Sequence, residues 1–148
     1  TEDGAYEVPE ELKEKIQSLF WAGCCGDAET KRTIGRVWQE HHYLCDTHTA
    51  VAWNVAQQYK AANPGHAPVV VLSTASPYKF PAAVLGGLGE KAEGDEFAVM
   101  EQLERLTGIP APKNLRGLRE RPVRHTTVLD REEMLPFVLE KAQEKKWF

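Results

Sequence analysis

Apolar positions along this chain recur mostly at helical spacing. Leu12, Ile16, Leu19 and Phe20 make a first stripe, preceded by Pro9, which a first helical turn tolerates because no N–H is needed there. Gly23 to Gly26 breaks the run. Asp27 is placed to cap a second helix, whose stripe is Ile34, Val37 and Trp38. A third helix begins near Thr47, turns Val51, Val55, Tyr59 and Ala62 inward, and stops at Asn63-Pro64-Gly65. Shorter patterns predict a helix from Pro81 to about Leu88 and another from Asp95 to Thr107 carrying Phe97, Met100, Leu103 and Leu106. Gly108 to Pro122, rich in Pro, Gly and Arg, reads as an extended crossing. Asp130-Arg131-Glu132-Glu133 has the form of a capping box and opens a last helix with Leu135, Val138, Leu139 and Ala142 inward.

One segment breaks the helical rhythm. Pro68 is followed by Val69, Val70, Val71 and Leu72 and then by Ser73 and Thr74. Four successive apolar residues, three of them β-branched, suit a strand buried on both faces. Such a strand needs neighbours, and the only other plausible one is His125 to Leu129. A central strand short of partners fits a piece of a larger α/β sheet; the alternative is a small mixed sheet wrapped by helices. The expected class is helix-rich α/β, with one clear buried strand and about five to six helices. The chain reads as a single unit over 1–148, with 1–8 as a flexible N-terminal tail. Missing strand neighbours predict compensation, either a homo-oligomer through the strand's edge or a repacked first helix.

Composition changes this picture mainly by exclusion. The chain has 148 residues, 42% hydrophobic and 27% charged, ordinary for a soluble domain with a real core. A formal net charge of −4 with interspersed signs gives no reason to expect nucleic acid or an acidic membrane as partner. No apolar run approaches the roughly 18 residues of a membrane span. The N-terminus lacks a Met, a basic start and an apolar signal core, and reads as the start of a trimmed or excised piece. Three cysteines, Cys24, Cys25 and Cys45, without framework spacing indicate a reducing compartment, so a cytoplasmic location is expected.

The segment from Ser73 to Pro81 carries the most chemistry. It starts at the carboxyl end of the expected strand, where open α/β sheets usually bind ligands. Ser73, Thr74 and Ser76 place three hydroxyls there, Lys79 adds a cation, and a helix begins just beyond. A hydroxyl can donate to a ring nitrogen, and a helix start with a lysine suits an anion. The plain alternative is a capped turn, which Ser, Thr and Pro all favour. In a second segment, Asp46, Thr47 and His48 cluster at a helix start, as a cap or as the border of a ligand site. Cys24, Cys25, His41, His42, Cys45 and His48 are candidate metal ligands by type, but they lack metal-site spacing, and no metal is expected. His41 shares the apolar stripe of its helix and reads as a hydrogen-bonded, half-buried histidine. The basic run Arg116, Arg119, Arg121 and Arg124 is interrupted by Glu120 and reads as a solvated face. No P-loop, dinucleotide fingerprint or nucleophile elbow is present.

Leu72-Ser73-Thr74-Ala75-Ser76-Pro77-Tyr78-Lys79-Phe80-Pro81 closely resembles the C-terminal motif of bacterial threonine synthases. Tyr43-Leu44-Cys45-Asp46-Thr47-His48-Thr49-Ala50-Val51-Ala52 resembles a second family motif, and Arg119 to Val128 with the following acidic helix resembles the family's C-terminus. The three occur in family order, and the resemblance covers nearly the whole chain. It implies fold type II of the pyridoxal-phosphate (PLP) enzymes and conversion of O-phospho-L-homoserine and water to L-threonine and phosphate. It further implies Thr74 against the pyridine nitrogen, with Ser73 able to share that role, and Ser76 and Lys79 near the substrate. Cys45 and Thr47 depart from the family pattern at places more often aliphatic and Pro. The family's Schiff-base lysine lies in its first half and has no counterpart here, so no catalytic residue is expected in this chain. The resemblance therefore implies a C-terminal portion whose partner is the N-terminal part of the same enzyme, inactive alone and not itself retaining PLP. The alternatives are a non-catalytic module holding a small anion and a fragment of another fold type II PLP lyase.

Overall fold

The computed structural model describes residues 4, 6–65 and 67–144. Among them are α1 (Glu10–Leu19), α2 (Asp27–His41), α3 (Thr47–Ala62), α4 (Pro81–Gly87), α5 (Glu96–Thr107), α6 (Lys113–Arg116) and α7 (Met134–Glu144), with 3₁₀ turns at Pro77–Lys79 and Arg131–Glu133. No strand occurs among the described residues.

The expected α/β class is therefore wrong for this chain, and the described residues fold into helices alone. The segment 67–72 is unpaired, with Val70 81% and Leu72 72% exposed. The second expected strand, His125 to Leu129, is likewise irregular, and Val128 is 93% exposed. Strand propensity records how well a side chain fits a pleated, half-buried surface, and only a second backbone can supply the ladder. With no such backbone alongside, four consecutive apolar residues make no strand.

Contacts cluster the chain into two units, residues 1–116 and 117–148. In the first, α2 packs against α3 and α4, and α4 against α5. Ile34, Val84, Leu85 and Leu103 are fully buried at the centre, each contributing about 1.5–3 kcal/mol by leaving water. The α2–α4 crossing is close because both helices present glycine. A Cβ on Gly87 would lie 2.9 Å from the carbonyl oxygen of Lys31, and one on Gly35 would run into the Gly87 carbonyl. A polar seam joins α2 to α3. Asn54 Nδ2 donates to Thr33 Oγ1 (3.2 Å) and Glu29 Oε1 (3.3 Å), and Gln58 donates to Asn54 (2.7 Å) and to the Cys24 carbonyl (3.0 Å).

Several inward faces differ from those expected. On α3 the buried residues are Thr49, Ala50 and Asn54; Val51 and Val55 are half-buried, and Tyr59 and Ala62 are exposed. On α5, Val99 and Leu103 are buried while Leu106 is exposed. The stripe of α1 stays exposed. Gly26, not Asp27, occupies the cap position of α2, because Asp27 already has helical geometry. The expected extended crossing Gly108–Pro122 contains α6. Of the expected tail 1–8, residues 1–3 and 5 lie outside the described residues, and α1 starts at Glu10.

In the second unit, Glu133 reaches back to the Asp130 N–H at 2.9 Å, as the capping-box pattern predicts, and opens α7. Leu135, Val138 and Leu139, expected to be inward, are exposed, as is Ala142.

Candidate functional site

The hydroxyl-rich turn is held at both ends. Ser76 Oγ accepts the Tyr78 N–H at 3.3 Å and caps the 3₁₀ turn, and the Lys79 N–H closes onto the Ser76 carbonyl at 3.0 Å. Pro77 sits where a fixed φ suits a first turn. Tyr78 is buried, and its hydroxyl donates to the carbonyl of Ile109 beyond α5. Burial pushes the Tyr78 phenol above its ordinary range.

Asp46 forms the other half of the site. It caps α3, accepting the His48 N–H at 2.9 Å, the Thr49 N–H at 3.3 Å and the Thr49 hydroxyl. Its side chain is fully buried, with His48 Nδ1 at 3.3 Å. Burial by itself pushes this carboxyl up, but the Thr49 hydroxyl, both backbone donors and His48 outweigh it and hold the group below the ordinary 3.8. The His48 ring lies 5.1 Å from that of Phe80. Cys45, immediately before Asp46, is 1% exposed, and burial together with the Asp46 charge pushes its thiol up to about 11.

Two segments some 25 residues apart meet at Ser73. Tyr43 Oη donates to Ser73 Oγ at 3.0 Å, and Thr49 Oγ1 lies 3.2 Å from the same oxygen. Thr74 is exposed and makes no hydrogen bond among the described residues, and Lys79 is exposed with no ion pair among them. Tyr43, Thr49 and Tyr78 were not among the expected site residues. The spacing of Asp46 and Thr49 at a helix start was the one signal that could have found Thr49. Between the starts of α2 and α3, an open cleft of about 550 Å³ is lined by Cys25, Asp27, Lys31, Thr47, His48 and Val51.

Among the described residues no group of three or more His, Cys, Asp or Glu converges to hold a metal. His41 is more exposed than expected, its ring 5.3 Å from Trp53. Arg116 of the basic run pairs with Glu104 at 2.8 Å. No described helix is long and apolar enough to cross a membrane.

The family profile "Threonine synthase, C-terminal" matches residues 49–138. The chain is 33% identical over 101 residues to human threonine synthase-like 2, covering 68% of this chain and 21% of that protein. It is 32% identical over 110 residues to Pseudomonas aeruginosa threonine synthase, covering 72% and 23%. It is 36% identical over 80 residues to mouse threonine synthase-like 1, covering 54% and 10%. The chain thus spans about a fifth or less of the length of these curated relatives. With a family profile over most of its length and both hydroxyl-bearing motifs meeting at Ser73, the chain belongs to the threonine synthase family, as part of its C-terminal region.

Proposed function

We propose that this chain supplies one wall of the active site of a cytoplasmic, PLP-dependent threonine synthase, a carbon–oxygen lyase acting on O-phospho-L-homoserine. The observation that carries this is the turn itself: an exposed Thr74 hydroxyl, without a hydrogen bond among the described residues, on a turn anchored at Ser73, Ser76 and Tyr78. Bound PLP supplies the electron sink for elimination and hydration. This chain's residues orient it: Thr74, with Ser73 beside it, offers a neutral donor to the pyridine nitrogen, leaving that nitrogen less protonated than a carboxylate does. The Lys79 amine, without an ion pair among the described residues, supplies positive charge for the substrate phosphate, and Ser76 fixes the turn between them. The imine-forming lysine and the remaining walls belong to the N-terminal part of the enzyme.

Co-expression with the stretch of P. aeruginosa threonine synthase that the match leaves uncovered tests this, assayed by phosphate release from O-phosphohomoserine. Activity that Thr74→Val removes and Thr74→Ser retains is expected. Equal activity of both variants defeats the reading. A non-catalytic anion module predicts instead that the chain alone binds inorganic phosphate and that Lys79→Ala abolishes the binding.

A further inference from the structure

Three contacts link the hydroxyls of the site in series. Tyr43 Oη lies 3.0 Å from Ser73 Oγ, Ser73 Oγ lies 3.2 Å from Thr49 Oγ1, and Thr49 Oγ1 contacts Asp46 Oδ2. Each hydroxyl has one proton to give. Asp46 already accepts two backbone N–H groups, and as an ionised carboxylate it has none. The Thr49 proton therefore points at Asp46. The Ser73–Thr49 contact must then be filled by the Ser73 proton, and the Tyr43–Ser73 contact by the Tyr43 proton. No other assignment places a proton in all three contacts.

We propose that Tyr43, Ser73, Thr49 and Asp46 form a one-way donor relay that commits the Ser73 hydroxyl inward and leaves Thr74 as the one of the two adjacent hydroxyls free to meet a ligand. The sequence motif leaves Ser73 and Thr74 interchangeable; hydrogen-bond direction separates them. If Ser73 turned toward a ring nitrogen, Thr49 would lose its donor and the relay its cooperative strengthening. Tyr43, Thr49 and Asp46 are positioning residues, acting on any ligand only through the turn. That the ligand of Thr74 is a pyridine nitrogen rests on the function proposed above; the relay does not.

The test is a carbon-detected NMR titration of the Asp46 carboxyl in the whole 148-residue chain, without cofactor. Ser73 does not touch this carboxylate, yet Ser73→Ala should raise its pKa by about 0.3, the size of one cooperative link lost from a charge-assisted bond. Tyr43→Phe should raise it less, and Thr49→Ser should leave it near the wild-type value. If the Thr49 proton pointed at Ser73 instead, Ser73→Ala would release it to Asp46 and the pKa would fall. A fall, or no change, overturns the proposal. Because no PLP enters the measurement, its failure and that of the co-expression assay are separate results.

Discussion

The hydroxyl of Tyr78 donates to the carbonyl of Ile109, 31 residues further along the chain. This bond fastens the candidate site's turn to the end of α5, so the position of Thr74 depends on a residue that no ligand need touch. Tyr78→Phe should lower unfolding stability by about 1–3 kcal/mol, since it leaves a partly buried carbonyl unpaired. A urea midpoint unchanged from wild type would show the bond to be worth nothing.

Asp46 makes stability depend on acid. Its folded-state pKa lies below the ordinary 3.8, so its contribution is fully present above that value and is lost as the pH falls through the folded pKa. Asp46→Asn should therefore be less stable than wild type at pH 7 and show a smaller loss between pH 5 and pH 2. Parallel acid-unfolding curves for the two proteins would contradict this.

Cys45 is protected where Cys24 is exposed. With its thiol pushed to about 11, it should resist alkylation at pH 8 in the folded chain and react only on unfolding, while Cys24 reacts at once. The sign here is opposite to that of Asp46. The raised thiol contributes stability below its ordinary value of 9.0, and this is lost as the pH rises through about 11. Mass-resolved alkylation rates check the first point.

At the α2–α4 crossing, Gly87→Ala places a methyl 2.9 Å from both the Lys31 carbonyl oxygen and Ile34 Cβ. Neither can rotate away, one being backbone and the other a Cβ fixed to it. A loss of about 1–3 kcal/mol is expected, measured by denaturant unfolding, and a neutral Gly87→Ala variant would rule out so close an approach.

Val70 offers the converse test. A strand buried on both faces would make Val70→Ser costly, whereas at 81% exposure the change should stay within about 0.5 kcal/mol in this chain. Ile34→Ala, at 0% exposure, should cost about 2–5 kcal/mol in the same assay.

Most helices were legible because caps and turn residues act locally. Asp46 satisfies free N–H groups of its own helix start, Asn63-Pro64-Gly65 ends α3, and Glu133 reaches only to Asp130. The buried faces were less legible. On α3 the apolar stripe led to Val51 and Tyr59, but the buried residues are Thr49, Ala50 and Asn54, because hydrogen bonds of Asn54 to α2 and of Thr49 to Asp46 and Ser73 hold polar side chains inside. The error at Val69–Leu72 has the same root: apolar, β-branched residues state a need for partners without saying whether any backbone lies alongside.

The sequence by itself determined where most of the helices lie and which hydroxyls cluster after Leu72, because caps, turns and motif order are properties of neighbours along the chain. Only the tertiary structure decided that Ser73 is held by Tyr43 and Thr49 while Thr74 has no hydrogen bond among the described residues, and that the apolar run before them forms no strand. Both depend on atoms distant in sequence: a hydroxyl's direction is set by the partner it meets in space, and a strand exists only where a second backbone completes its ladder.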